Sequence, residues 1–235
     1  MSARTAPTRG TPSVRVVATP GRPSRVLLRA CATFGLAVRR ARDTAALDTG
    51  RLGVRLDHDS GRGGLTLIVG PSGSGKSTLL RVLARRARRR GTPVVRAVAI
   101  TPARARRPLV DLISGSLAER LRTLSAAGLG EAMLLARPVR ELSDGERARA
   151  SLALAMSHAH RARRCTLIVD EFTSGLDAPT ARSLAVSLSR WAGRNPRVRT
   201  VAASSREELA EWTAAPRIIR TSLGGAMPWG NSSKG

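Results

Sequence analysis

Tyrosine and glutamine are missing from the 235 residues, aromatic side chains make up 2% of them, and lysine occurs twice, at Lys76 and Lys234. Modules that read nucleic acid by stacking bases need rows of exposed aromatics, and two phenylalanines with three tryptophans cannot supply them. Cysteine is as sparse. Cys31 and Cys165 lie far apart, with no CxxC and no Cys/His cluster, which excludes a disulfide framework and a cysteine-based metal site. A cytoplasmic, reducing location is the expectation. Cys165 directly precedes an apolar strand and reads as a small buried residue. Long hydrophobic runs are also lacking: stretches such as "LTLIV" at 65–69 fall far short of the roughly 20 residues that a membrane span needs, so no part of the chain is expected to cross a bilayer.

Acidic residues are the last scarcity. Sixteen Asp and Glu stand against 41 Lys and Arg, a net charge of +25. The use of arginine for lysine reads as the codon bias of a GC-rich genome, but such codons also supply Asp, Glu and Ala, so bias does not account for the missing acids. A field of this sign attracts polyanions, nucleic acid first and acidic membrane surfaces or acidic proteins after it. A basic, merely solvated surface is the other reading.

What is present is a core. At this length and 42% hydrophobic, one globular domain with a small subdomain is expected. The first 42 residues hold no acid and much Pro, Ser, Thr and Arg, the composition of a flexible arm or of a transit peptide. The arm is favoured, because the arginine excess continues along the whole chain, and it is assigned to 1–25, with the domain at 26–225 and a tail at 226–235. From "LGVRLDHDSGRGGLTLIVG" onward, short β-branched runs alternate with glycine-rich turns. Residues 77–90 predict a helix closed by Gly91, "PVVRAVAI" a strand, and "TPARARRP" a connection. A helical insertion spans about 109–145, its Leu- and Ala-rich part at 109–136 interrupted by Gly115, Gly128 and Gly130. There follow a helix from 143, a strand at 165–170, a helix at 178–192, a strand at 198–203, and a last helix and strand. Strands alternating with helices predict an α/β fold with a mostly parallel sheet flanked by helices.

"GPSGSGKST" at 70–78 follows an apolar strand and precedes a helix, the context in which G-x-x-x-x-G-K-[ST] cradles phosphates. Gly73 and Gly75 let backbone N–H groups turn inward, the helix N-terminus adds partial positive charge, Lys76 reaches the β- and γ-phosphates, and Ser77 ligates Mg²⁺. Gly70, Ser72, Ser74 and Thr78 complete the expected nucleotide contacts. "CTLIVDEFTSGLD" at 165–177 delivers Asp170 and Glu171 to the carboxyl end of a buried strand, where ligands of parallel sheets bind. Asp170 is expected to hold Mg²⁺ through its water shell, and Glu171 to polarise the attacking water as general base. In "ELSDGERARASLALAM" at 141–156, Ser143 and Glu146 form an S-x-x-E capping box that starts a helix with outward N–H groups.

Phosphate loop, "LSDGE", "LIVDE" and "SGLD", in that order over roughly residues 60–205, resemble the motif order of ABC-type ATPases, a class of P-loop NTPase. The resemblance implies ATP and Mg²⁺ as ligands and a head-to-tail homodimer. In it Ser143 and Gly145 touch the ATP of the other copy, and Asp177 lies in the loop linking the two sites. Departures matter as much. Asp144 and Glu146 stand where the family has glycine and glutamine, and a carboxylate beside a γ-phosphate repels it unless it turns away. The family's glutamine next to Mg²⁺ is missing, with Asp111 in "RPLVDLI" as candidate substitute metal ligand and a plain helix N-cap as its alternative. The family's switch histidine is also missing, since the histidines are His58, His158 and His160. Its position falls to Ser205 in "TVAASSREEL". Phe34 is the only aromatic before Phe172, a candidate for stacking on adenine or a core residue.

"RPLVDLI", "RELSDGERARASLALAM" and "DEF" look more like a soluble branch of the family, sometimes fused to a predicted acetyltransferase domain, than like transporter subunits. The leading expectation is a soluble, slowly hydrolysing ATPase whose ATP-driven dimer acts on a nucleic acid or protein partner. The alternatives are the ATP-binding subunit of an ABC transporter and a non-hydrolysing, ATP-gated dimerisation module.

Overall fold

A strand covered on both faces reads as a near-continuous apolar run, and "GLTLIV" and "CTLIV" do, with one buried threonine each, Thr66 and Thr166. Both are buried, the first from its second residue onward. The computed structural model describes residues 64–162, 164–222 and 225–226. The expected arm at 1–25, Phe34, the first strand pattern and the tail beyond Ala226 lie outside them.

The strands β1 (Gly64–Val69), β2 (Val94–Arg96), β3 (Cys165–Val169), β4 (Val198–Ser204), β5 (Arg217–Ser222) and β6 (Gly225–Ala226) form one sheet in the order β2-β3-β4-β1-β5-β6. All pairings are parallel except the β5–β6 hairpin. Register brings the carboxyl ends of three strands to one edge: Val69 lies opposite Ser204, and Val169 opposite Ala202. The loops that follow these strands therefore start side by side.

Alternation along the strands makes two cores. Ile68, Ile168, Val201, Ala203 and Ile219 face α1 (Lys76–Arg89) through its Leu79, Leu80 and Leu83. Leu67, Val69, Leu167, Val169 and Ala202 face the other way, into a larger cluster shared with α6 (Asp144–Arg161) and α7 (Ala178–Arg194). On α7 the stripe Leu184, Leu188 and Trp191 is buried.

The short helix α2 (Pro102–Ala105) leads into the insertion, which three helices build: α3 (Leu109–Leu112), α4 (Leu117–Ala126) and α5 (Ala132–Leu135). An antiparallel bridge between Pro108 and Pro138 closes its base, flanked by bonds from the Leu109 N–H to the Arg137 carbonyl at 3.0 Å and from the Val139 N–H to the Arg107 carbonyl at 3.3 Å. Leu109, Leu124 and Leu129 join the insertion to the larger core. The end of the chain adds α8 (Leu209–Trp212) before β5.

Two local expectations change. The strand expected over "PVVRAVAI" is only Val94–Arg96, because β2 is an edge strand whose one neighbour, β3, ends at Val169. The last tie is from the Ala97 N–H to the Ile168 carbonyl, 3.3 Å. Within "TPARARRP", read as a connection, Pro102 opens α2, a position where the missing N–H costs nothing and the fixed φ suits a helix.

Candidate nucleotide site

The turn from β1 into α1 takes two left-handed residues, Gly73 at φ 80° and Gly75 at φ 89°, a conformation glycine adopts without a steric penalty. At Gly70 the demand is different. A Cβ there would lie 2.2 Å from the Thr221 carbonyl oxygen and 2.4 Å from its hydroxyl, so the loop starts pressed against β5. The Thr221 hydroxyl donates to the Val69 carbonyl at 3.2 Å and lies 2.7 Å from Ser74 Oγ. Its single proton being spent on Val69, it accepts from Ser74.

Lys76 is 4% exposed. Its Nζ donates to the carbonyls of Gly70 at 2.9 Å and Pro71 at 3.0 Å, and is ion-paired with Glu171 Oε1 at 3.2 Å. Ser72, Gly73 and Ser77 are exposed and Thr78 is half-buried. No acidic side chain lies in the first turn of α1, so nothing there competes with an anion for the helix N-terminus.

Asp170 is exposed at the end of β3. Glu171 follows at φ 45°, the one non-glycine residue with positive φ among those described. Such a conformation in a residue with a Cβ costs about 1 kcal/mol or more. It turns the carboxylate so that Oε2 accepts from the Ser205 N–H at 3.1 Å and from the Ser205 hydroxyl at 3.2 Å. Glu171 thus bridges the phosphate-loop lysine and the residue that stands where the resemblance calls for histidine.

Three residues not singled out from sequence stitch these loops together. Thr173 Oγ1 and Ser204 Oγ are 2.7 Å apart in a buried contact, the Arg206 N–H donates to Ser204 Oγ at 3.1 Å, and the Arg206 guanidinium donates to the Leu176 carbonyl. Their signal exists only once β3 and β4 are known to be neighbours in register.

Ser143 caps α6, and both bonds of the capping box form: the Glu146 N–H to Ser143 Oγ at 3.3 Å and the Ser143 N–H to Glu146 Oε2 at 2.7 Å. The bond from the Ser143 main-chain N–H does most to hold the Glu146 carboxyl below its ordinary value, the Ser143 hydroxyl adding to it. Asp144 is ion-paired with Arg147. Both carboxylates that depart from the family pattern are engaged locally. A Cβ on Gly145 would meet Leu176 Cδ2 at 3.4 Å, so the start of α6 adjoins the 171–176 loop of the same chain. Asp177 caps α7, its two oxygens accepting from the Thr180 N–H at 2.8 Å and the Thr180 hydroxyl at 2.9 Å, which lowers its pKa. Asp111 is exposed on α3, 3.8 Å from Arg120, while its carbonyl accepts from Arg107 at 3.0 Å. These partners belong to the insertion or its edge, not to the Lys76–Glu171 cluster.

No three His, Cys, Asp or Glu side chains converge as a metal cluster among the described residues. Mg²⁺ bound with phosphates needs only one or two protein oxygens, its other positions going to water and phosphate. The hard oxygens of Ser77 and Asp170 fit that donor set.

Residues 37–201 match the family model described as an AAA ATPase domain. Among solved structures, a dimeric ATP-binding cassette in a post-hydrolysis state bound to ADP and phosphate is 18% identical over 75% of this chain and 88% of that one, with a TM-score of 0.55. An ATP-binding cassette of an ABC transporter in its ADP conformation is 15% identical over 72% and 80%, with a TM-score of 0.53. A nucleotide-free cassette from an ABC transporter is 16% identical over 72% and 81%, at 0.51. Identities this low establish likeness of fold. Among curated proteins none matches by sequence.

Proposed function

The chain belongs to the AAA ATPase domain family and is a P-loop NTPase with the fold of ABC-type cassettes, and from that premise we propose that it hydrolyses ATP slowly, as an ATP-driven homodimer acting on a nucleic acid or protein partner. The observation that carries the proposal is the meeting of Lys76, Glu171 and Ser205 at one edge of the sheet. Lys76 leaves its carbonyl partners and Glu171 for the β- and γ-phosphates, and the Gly73–Gly75 turn with the α1 N-terminus receives the remaining charge. Ser77 and Asp170 would hold Mg²⁺, which would supply charge neutralisation at the phosphates. Glu171, released from Lys76, accepts a proton from the attacking water.

The missing imidazole makes turnover slow. Ser205 can turn its one hydroxyl proton from Glu171 toward the γ-phosphate but lacks an imidazole's reach and charge, so the loss falls on transition-state stabilisation and not on affinity. Assembly uses Ser143 and Gly145 of one copy against the ATP of the other, with Asp177 at the junction. The local engagement of Asp144 and Glu146 supports this, since neither carboxylate is left unpaired. Asp111 remains the candidate for the metal-side role of the missing glutamine, and it has to exchange Arg120 for that role.

Equilibrium binding of MgATP tests the foundation. Losing a charge-assisted bond worth about 1.5–3 kcal/mol, Lys76→Ala should bind at least tenfold more weakly; unchanged affinity would remove the reading. Ser143→Arg should bind ATP as a monomer and fail to dimerise, whereas normal assembly would remove the shared site. A transporter subunit is the second reading, because the similar cassettes come from ABC transporters. Co-purification with an integral membrane protein would favour it. No helix of the described residues is long and apolar enough to cross a membrane.

A further inference from the structure

Helix α7 buries Leu184, Leu188 and Trp191 and turns a ridge of residues spaced by four, Arg182, Val186, Arg190 and Arg194, outward. Two hollows flank this ridge and share Ser187 and Arg190 in their walls. One, of about 770 Å³, lies between α7, α4 and the end of α6 and also takes in Arg122, Arg194 and His160. The other, of about 500 Å³, adds Arg182 and Trp212. Together they make a trough with four arginines along it.

The charge in the trough is not balanced from within. Glu119, the one carboxylate lining either hollow, interacts with Arg122 and His160 and offsets one of the four arginine charges; its Oε2 also accepts from the Ser116 N–H at 2.7 Å and the Ser116 hydroxyl at 3.0 Å. The floor is firm. Asn195 donates from Nδ2 to the Trp191 carbonyl at 2.7 Å, and its Oδ1 is 2.6 Å from His160 Nδ1. At the other end the Arg182 guanidinium stands over the Trp212 ring, 5.9 Å from its centroid, a cation–π placement that keeps it in the trough.

We propose that this trough along α7 is a phosphate-backbone site for duplex nucleic acid, a deduction that rests on the nucleic-acid reading of the chain's charge and fixes its location. Twelve residues of helix separate Arg182 from Arg194, about 18 Å at 1.5 Å per residue. The phosphates of one duplex strand wind around the axis, so a row of this length meets a few successive phosphates where the backbone runs along it. Guanidinium forks match phosphate oxygens in pairs. The concave shape favours a backbone ridge over a flat membrane surface. Trp191 is 9% exposed and Trp212 is covered by Arg182, so no open stacking platform serves single strands. The trough lies on the opposite face of the sheet from α1 and its exposed Arg85, Arg88 and Arg89, the more conspicuous basic run in the sequence.

Fluorescence anisotropy with a short DNA duplex tests the site, using the full chain and MgATP affinity as the check on folding. Arg190→Glu with Arg194→Glu should weaken duplex binding at least about tenfold and flatten the log–log salt dependence by roughly 1.8, about 0.9 for each phosphate no longer neutralised. Arg85→Glu with Arg88→Glu should leave most of the binding. Arg122→Ser with Arg182→Ser provides a second route that leaves the end of α7 intact, and should flatten the slope to a similar extent. Strong duplex binding retained by both trough variants, or abolished in the α1 variant instead, overturns the location while the nucleic-acid reading stands. Wild-type protein that ignores duplex at low salt, or that binds only vesicles of phosphatidylserine through these arginines, overturns both.

Discussion

Glu171 Oε2 accepts two hydrogen bonds from Ser205, one from its main-chain N–H at 3.1 Å and one from its hydroxyl at 3.2 Å. The first depends on backbone and survives any substitution that keeps β4 in register. The second belongs to the side chain. Ser205 therefore positions the candidate base twice, and half of that grip can be removed without disturbing the fold.

From this division, Ser205→Ala should lower the steady-state rate of phosphate release by about two- to tenfold, the size of one partly exposed bond to a charged group, with ATP affinity unchanged. Ser205→His should leave binding unchanged and hold or raise the rate. A fall in affinity with constant rate in either variant would place Ser205 in ground-state binding instead.

Gly70 sets a structural test. An added Cβ meets the Thr221 main chain, which cannot swing aside as a flexible side chain can, so Gly70→Ala should destabilise the nucleotide-free protein by about 1–3 kcal/mol. Gly175, at φ 74°, has nothing within 4 Å of its Cβ position and serves as the comparison for backbone strain alone. Thermal unfolding should show a lower midpoint for the Gly70 variant; equal midpoints would mean that the approach of β5 to the loop is not tight.

Local signals made much of this arrangement readable in advance. The phosphate loop, the acidic strand end and the Ser143–Glu146 box are short motifs whose chemistry demands a fixed context, and the strands at 65–69 and 165–169 are apolar except for Thr66 and Thr166 because both faces are covered. What adjacency creates was not readable. Thr173, Ser204 and Arg206 acquire their roles when β3 pairs with β4, and the trough on α7 arises where α4 and the end of α6 come alongside it. Conversely, "PVVRAVAI" has the composition of a long strand, but an edge strand extends only as far as its neighbour does.

The helix caps give a pH dependence. Main-chain N–H bonds from Ser143 and Thr180 favour the ionised carboxylates of Glu146 and Asp177 in the folded chain, lowering both pKa values. As pH falls, the unfolded chain takes up these protons first. The caps' contribution is complete above the ordinary carboxylate range, around pH 4, and is lost as pH drops through the lowered folded values. In denaturant titrations from pH 7 to pH 3, wild-type stability should fall more steeply below about pH 5 than that of Glu146→Gln with Asp177→Asn. Parallel curves would mean that the caps do not titrate with folding.

Phosphate release from MgATP by wild-type protein and by Glu171→Gln, with and without duplex DNA, tests whether Glu171 is the general base in ATP hydrolysis. A positioned general base contributes roughly 10²–10⁴ in rate. Release from the wild type should be slow but measurable, Glu171→Gln should lose at least about a hundredfold, and that variant should trap an ATP-bound dimer. Wild-type release no faster than the variant's under every condition would contradict that role and leave ATP as a ligand that gates dimerisation.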